Sequence, residues 1–209
     1  MSVNVGLISY IILLKNKKER SIIKMDFLNE LFSAGVWGDK TPSPPKWNKW
    51  VHRNLSDNHC PECLMLDGCW FLKAKTPKWP HHPFCHCVLK DIPYNEVLTL
   101  SSCKCPYEKF APYLFDPDDF YKHGKSAMLE SWGYSIHDST YLKEEIQKQS
   151  LEKYRNGDYK LGLLNEYGQR ISIRVELPRK NGDGMISFIT GWMVKPNGHI
   201  QLNTPYGGK

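Results

Sequence analysis

The chain has 209 residues, a formal net charge of +6 and a pI of about 8.8. This length predicts one or two domains, and the ordinary apolar content of 41% excludes a chain that is mostly disordered. The mild positive charge permits an anionic partner without demanding one, since dedicated nucleic-acid-binding domains often exceed a pI of ~9.

The chain starts with an apolar run, Val5 to Leu14, that is followed by the basic sequence KNKKER. The run is shorter than the ~20 residues that span a bilayer. A secretory signal would carry its positive charge before the run. We therefore expect a buried helix or strand, no signal peptide and no membrane partner.

Helical spacing predicts a first helix over residues 17–33, with Gly35 as its stop. The apolar positions that carry this prediction are Ile23, Phe27, Leu28 and Leu31. A rigid proline-rich linker follows at 41–45. The next segment, KWNKWVHRNL, is predicted as a short helix with three side chains on one side, namely Trp47, Trp50 and Val51.

All seven cysteines lie between Cys60 and Cys105, and five of them fall within residues 60–87. A disulfide scaffold would spread its cysteines through a short secreted chain. Clustered C-x-x-C and C-x-C pairs beside histidines instead favour metal binding in a reducing compartment. Within this segment, LDGCWF predicts a tight turn that leads into a strand, because Asp-Gly supplies the positive φ of such turns.

Structural zinc takes four ligands, mostly thiolate sulfur and imidazole nitrogen. The C-x-x-C pair supplies two, and HHPFCHC at 81–87 offers the others, from among His82, Cys85, His86 and Cys87. The predicted ligands are Cys60, Cys63, His82 and Cys85, with Cys87 in place of His82 as the alternative. We expect His81 and His86 at the surface or beside the ligands, and Cys69 in the core next to Trp70.

The pattern favours a structural zinc site over a catalytic one. Catalytic zinc keeps an open position, usually with a carboxylate nearby as general base. Zinc deaminases use H-x-E followed by P-C-x-x-C, whereas this chain has no H-x-E and its C-x-x-C comes first. Cys103 and Cys105 form a further C-x-C pair, but two thiolates alone cannot complete a zinc site.

No cysteine occurs after Cys105, and the pattern becomes regular. Residues 124–134 predict a short helix closed by Gly133, and a longer helix is capped by Ser139 and ended by Gly157. Three strands follow: QRISIRVELP, MISFITGWMV and HIQLNTPY, separated by the turns NGDG and KPNG. In the first strand, one face is expected to be apolar and consists of Ile171, Ile173, Val175 and Leu177.

The predicted fold class is therefore α+β. The expected parts are a helical extension and linker at 1–45, an irregular zinc-binding segment at 46–105, and a domain of two helices and an antiparallel β-meander at 106–209.

CPECLMLDGCWF followed by HPFCHC resembles the Cys/His segment of phage head-morphogenesis proteins of the Mu F-like type. Those proteins carry a C-x-x-C, a short Asp-Gly hairpin and a closing H-P-x-C-x-C. The resemblance covers about Lys46 to Ile92. It implies a zinc-binding segment in a phage- or prophage-related protein.

Residues 109–206 resemble a small uncharacterised domain at the ends of phage head proteins and bacterial polymorphic toxins. The resemblance is carried by KFAPYLFDPD, HGKSAMLESWGYS, YLKEEI, YGQRISIRVEL and GWMVKPNGHIQLNTPY. Two helices followed by a meander also resemble the barnase, EndoU, colicin and RelE-like toxin ribonucleases. This analogy implies a metal-independent ribonuclease.

Such a ribonuclease needs an acid–base pair and cations or hydroxyl donors at the phosphate. His123 and Lys125 share a predicted helix start, where the helix dipole suits a phosphate. Arg170 and Arg174 share the polar face of a predicted strand, and Thr204 lies on the last strand. The candidate catalytic residues are His123, Lys125, Arg174 and Thr204.

Two functions are therefore expected. The first is a phage- or prophage-related effector with structural zinc and a toxin-like domain that acts on RNA. The alternative is a non-enzymatic protein-binding module, either a capsid-associated adaptor or an inhibitor of a host factor. The expected location is the bacterial cytoplasm or the virion.

Overall fold

The computed structural model describes residues 43–53, 60–115 and 124–205. From Pro44 onward these residues belong to one compact unit. The apolar run at 5–14 and the helix predicted over 17–33 lie outside the described residues. The predicted α+β class is confirmed, because helices and two separate sheets make up the described chain.

The first sheet has three antiparallel strands in the order β2-β1-β3. The strands are β1 (Trp47–Val51), β2 (Trp70–Leu72) and β3 (Val88–Ile92). The short helix predicted for KWNKWVHRNL is wrong, because this segment contains the central strand β1. Trp47 and Trp50 are three residues apart and lie on opposite faces of the strand, and both faces are covered. Pairing on both edges thus overrides the helical spacing of the tryptophans.

Two short helices lie between and after these strands: α1 (Pro61–Leu66) and α2 (Tyr94–Leu100). The predicted Asp-Gly turn into a strand is confirmed, since Gly68 has φ of +77° and β2 starts at Trp70. A Cβ at Gly68 would lie 2.9 Å from the Cβ of Pro196. Glycine is therefore required there both for its backbone conformation and for the close approach to Pro196.

The second sheet has five strands in the order β4-β8-β7-β6-β5. They are β4 (Ser102–Lys104), β5 (Lys160–Asn165), β6 (Gly168–Pro178), β7 (Met185–Lys195) and β8 (His199–Thr204). The predicted meander β6-β7-β8 is confirmed, as is the buried alternating face of β6. The sequence missed β5, which is interrupted by an irregularity, and β4, which pairs in parallel with β8.

Among the described residues, three helices accompany this sheet: α3 (Ala111–Leu114), α4 (Lys125–Ser131) and α5 (Ser139–Arg155). The predicted ends of α4 and α5 are confirmed by positive φ at Gly133 and Gly157. The predicted cap at Ser139 is wrong. A 3₁₀ turn, Ile136–Asp138, runs directly into α5, so Ser139 is already helical and the capping box lies upstream, between Ser135 and Asp138.

Helix α5 also covers the open edge of β6 beyond its pairing with β5. The Gln149 amide accepts from the Glu176 N–H at 3.0 Å and donates to the Glu176 carbonyl at 2.6 Å. The Lys153 ammonium donates to the Arg174 carbonyl at 2.7 Å. These side chains satisfy backbone groups that a neighbouring strand would otherwise bond, and they protect the edge from pairing with another chain.

The segments predicted as separate parts, 46–105 and 106–209, share one core. The Trp47 ring packs edge-on against Tyr154 at 5.0 Å, and the Tyr154 hydroxyl donates to the Trp70 carbonyl at 2.8 Å. The Leu72 N–H donates to the Tyr159 hydroxyl at 3.0 Å. Helix α5 and the first sheet are thus joined through buried aromatic side chains. None of the helices in the described ranges has the length and apolarity needed to cross a membrane.

Candidate metal centre

The Cys/His cluster is formed by two short segments that meet beside the first sheet. Cys60 precedes α1, and Cys63 is buried in it, where proline in the first turn fits the unpaired end of the helix. The second segment, 81–87, has no helix or strand and leads into β3. A turn within it is closed by the Cys85 N–H, which donates to the His82 carbonyl at 3.2 Å.

Cys63 lies at the centre of the cluster. Its sulfur is 3.4 Å from His82 Nε2 and 3.8 Å from the sulfur of Cys85. Two groups of three donor atoms, each group within 4.8 Å, share this residue. The groups are Cys60, Cys63 and His82, and Cys63, Cys85 and Cys87. The structure therefore brings the five predicted donors into two groups that share Cys63, and each group could hold a metal ion. The predicted set of Cys60, Cys63, His82 and Cys85 does not form a single group of four within this distance.

The orientation of His82 suits a metal ligand. Its Nδ1 lies 2.7 Å from the carbonyl oxygen of Pro83, so Nδ1 carries the proton and donates to this oxygen. The lone pair is then on Nε2, the atom that faces Cys63. Backbone hydrogen bonds of this kind are the usual way in which proteins fix the tautomer of a metal-binding histidine.

The thiols of the cluster differ in how readily they ionise. Burial and the neighbouring thiols of Cys87 and Cys85 raise the pKa of Cys63 well above its ordinary value. Burial also opposes ionisation of Cys85, but hydrogen bonds from the backbone of His81 and Cys87 outweigh it and lower its pKa to about 7. Metal binding requires the thiolate form. Ionising crowded, buried thiols has an electrostatic cost, and a bound cation offsets this cost.

Polar contacts surround the donors. His81 Nε2 bonds the Glu62 carboxylate, which joins α1 to the second segment, and the Trp79 indole donates to the Cys87 carbonyl at 3.1 Å. Glu62 is therefore occupied by His81. A cleft of about 300 Å³ opens beside the cluster, and its lining includes His52, Arg53 and His86.

The remaining cysteines lie elsewhere. Cys69 is fully buried and its thiol donates weakly to backbone carbonyls, as expected for a core residue. Cys103 and Cys105 are buried near each other, and their mutual hydrogen bond raises the pKa of Cys103. Within the described ranges, neither belongs to a group of three metal-binding side chains.

The predicted catalytic residues lie on different parts of the fold. His123 is outside the described residues. The Lys125 ammonium donates to the Tyr113 hydroxyl at 2.5 Å, on the helical side, where Trp132 of the α4 C-terminus packs against Phe188 of the core face. Arg174 projects from the opposite face of the sheet and donates to Ser187 at 3.0 Å.

Thr204 lies on the same outer face as Arg174. It is opposite Gly191 on β7, which is in turn opposite Ser172 on β6. The structure thus brings Thr204 and Arg174 to one face of the sheet, and it places Lys125 on the other side.

Comparison of the chain with protein-family models, with curated proteins and with solved structures finds no match in any of the three.

Proposed function

We propose that the Cys/His cluster binds one structural zinc ion, and that the protein is a phage- or prophage-related effector that works by binding a partner. The observation that carries the zinc proposal is the contact of Cys63 with both His82 and Cys85. A tetrahedral zinc ion separates two sulfur ligands by about 3.8 Å and a sulfur from a nitrogen by about 3.6 Å. The two contacts of Cys63 match these separations.

The donor set supports zinc and a structural role. Thiolate and imidazole ligands bind zinc in preference to magnesium or calcium. Cys60, Cys63, His82 and Cys85 would fill the four positions, and Cys87 is the alternative to His82. The nearby carboxylate of Glu62 is bonded to His81, and this contact argues against its use as a general base. The bound ion would fasten α1 to the segment before β3 and would supply no reaction step.

The effector class rests on the sequence resemblance to phage head-morphogenesis proteins and to toxin-associated domains. The placement of Lys125 and Arg174 on opposite sides of the second sheet favours binding over cleavage. An acid–base reaction needs its groups within about 3 Å of the reacting atoms, directly or through one water. The two cations do not share such a place.

The zinc content of the purified protein tests the first part. Elemental analysis of protein prepared without chelator is expected to give one zinc per chain. Cys63→Ser should lose the metal, because Cys63 belongs to both donor groups. Cys69→Ser is the matched control, since Cys69 is equally buried but lies outside both groups. Zinc-free wild-type protein, or equal zinc loss in the control, would contradict the proposal.

Incubation with total RNA, in buffer without added metal ions and without chelator so that the proposed zinc stays bound, tests binding against cleavage. We expect intact RNA with the wild type and with both Lys125→Ala and Arg174→Ala. RNA cut by the wild type but spared by both variants would instead support the ribonuclease.

A further inference from the structure

The outer face of the second sheet is strongly basic. It carries five exposed or half-exposed cations that come from four of the five strands: Lys104, Lys160, Arg170, Arg174 and Lys195. We call this set the basic face. The residues are far apart in the sequence, so no single stretch of the chain shows the charge that the fold assembles.

The strand register places these side chains on one side. Lys195 is opposite His199, which is opposite Ser102 on β4. Lys104 is opposite Gln201, which is opposite Met193, and Met193 is opposite Arg170 on β6. Directly opposite residues point to the same face of a sheet, and so do residues two apart along a strand.

The same register places the remaining cations. Arg174 is four residues beyond Arg170 on β6, and Lys160 is opposite Ser172 between them. The buried face of β6 belongs to one core cluster with Tyr154 of α5 and Trp47 of the first sheet. Helix α5 and the first sheet therefore lie on the side of the second sheet opposite to the basic face.

Few carboxylates of the described residues lie near the basic face. Asp158 lines a cleft with Lys160 and Arg174. Glu176 is the one carboxylate on these strands in the described chain that shares the face. No ion pair between described residues involves any of the five cations. Three lysines elsewhere do form such pairs: Lys73 with Asp91, Lys148 with Glu145 and Lys180 with Asp138. Among the described residues, the five cations therefore outnumber the two carboxylates near the face, and the face suits an anionic partner.

Uncharged hydrogen-bonding groups are interspersed among the cations. They include Ser102, Ser172, Thr204 and Gln201. The Ser102 hydroxyl lies 2.8 Å from Nδ1 of His199. Burial and the nearby ammonium groups of Lys104 and Lys195 lower the pKa of His199, so its imidazole is neutral near pH 7 and can donate or accept.

An exposed aromatic residue adjoins one end of the face. Tyr167, in the β5–β6 turn, is 68% exposed, and its carbonyl accepts from the Lys195 ammonium at 3.2 Å. Proteins that bind single-stranded nucleic acids combine a basic track for phosphates with aromatic side chains on which bases stack. Tyr167 beside Lys195 provides both elements.

We propose that the basic face binds single-stranded RNA. Five strands about 4.8 Å apart make a platform roughly 20 Å wide. In the part of the chain that the structure describes, no helix projects from this platform to enter a duplex groove, so an unpaired strand fits it better than a duplex. Hydroxyl and amide groups beside the cations can recognise the 2′-hydroxyl, which distinguishes RNA from DNA. The inference rests on the proposed binding role and names its partner.

Fluorescence anisotropy with a labelled single-stranded oligoribonucleotide tests the proposal. A triple variant, Lys104→Gln, Arg170→Gln and Lys195→Gln, is expected to bind at least about tenfold more weakly and to reduce the slope of log K against log salt by about two, since each phosphate contact of a single strand contributes about 0.7. The control, Lys78→Gln, Lys90→Gln and Lys148→Gln, removes the same charge from exposed positions elsewhere and should bind as the wild type does.

Several results would overturn the proposal. The first is that the wild type does not bind the RNA, and the second is that both triple variants lose the same affinity for it. The others are that the wild type binds single-stranded DNA or duplex RNA at least as tightly as single-stranded RNA, or that it binds an acidic protein with equal affinity. Zinc content and thermal unfolding are measured on the same samples. Wild-type protein that contains zinc but does not bind RNA would refute this inference alone. Wild-type protein purified without zinc would refute the proposed metal site.

Discussion

The two sheets of the protein are stabilised in different ways. The second sheet is built on long elements, with eleven residues in each of β6 and β7 and seventeen in α5. The first sheet has strands of three to five residues. The run from Thr76 to Cys87 that leads to its last strand contains neither helix nor strand. Large apolar side chains in this run face solvent, including Phe84, which is 91% exposed.

The difference shows where a metal ion is most useful. In the second sheet, a ladder of backbone hydrogen bonds and a buried face fix each strand. The run before β3 has few such bonds, and its donors Cys85 and Cys87 meet Cys63 of α1. One ion would there replace the packing that a longer element provides, which is the usual role of structural zinc in small modules.

The largest expected effect comes from removing the metal. Cys63→Ser, or chelation of the wild type, should destabilise the protein by at least about 4 kcal/mol, because four ligands lose their common partner. Hydrogen exchange should show lost protection in residues 60–92 before β6 and β7 are affected. Cys69→Ser with EDTA and without it separates the loss of the ion from the loss of a buried thiol. Identical protection of both sheets in EDTA would disprove the difference between them.

A cavity in the core of the second sheet should destabilise the fold without releasing the metal. Ile173 of β6 is fully buried, so Ile173→Ala is expected to cost about 2–5 kcal/mol in the free energy of unfolding measured by urea denaturation. Zinc content should stay at the wild-type value. If this variant released zinc under native conditions, the metal site would depend on the second sheet.

A smaller effect is expected at the junction between the two regions. Tyr154→Phe removes the hydroxyl that donates to the Trp70 carbonyl and should cost about 1–2 kcal/mol, because the buried acceptor loses its partner. Tyr107→Phe is the control, since Tyr107 is 47% exposed. Equal stability of the two variants in urea would show that this contact does not join the regions.

The smallest effect concerns the entry to α5. Lys180 and the Ser135 N–H bond the Asp138 carboxylate, and together they lower its pKa despite partial burial. A lowered carboxyl pKa stabilises the fold above the unfolded value of about 3.9, and this contribution is lost as the pH falls below it. Asp138→Asn should therefore cost about 0.5–1 kcal/mol at pH 7.

Urea titrations of the wild type and of Asp138→Asn across pH 3–7 measure this effect. The two curves should converge at the acidic end. A difference that stays constant over the whole range would show that the charge of Asp138 is not responsible.

The sequence predicted the parts of this fold that local patterns determine. Alternation from Ile171 to Leu177 and the glycine stops at 133 and 157 are local signals, and the structure has the corresponding elements. Strand β1 could not be found this way, because its pairing with β2 and β3 involves residues about 20 and 40 positions away. Strand β4 has three residues, too few to show a period.

The candidate site divides in the same manner. The spacing of the cysteines and histidines identified all five donors that meet around Cys63. The spacing did not choose between His82 and Cys87, because only the path of residues 81–87 in the fold determines where these two side chains lie. In the structure each belongs to a different group of donors around Cys63. The sequence showed only one part of the basic face, the pair Arg170 and Arg174 on one predicted strand, since the other charges become their neighbours only through the strand register.

The parallel pairing of β4 with β8 has a consequence for how the chain can be shortened. Residues 106–209 look like a separable domain, but β4 lies before this boundary and forms the last strand of the sheet. The Gln147 amide of α5 also donates to the Cys103 carbonyl, at 2.9 Å. A chain that begins after Cys105 would leave β8 as an open edge, a template for pairing between molecules. The smallest piece that closes this sheet therefore begins before Ser102.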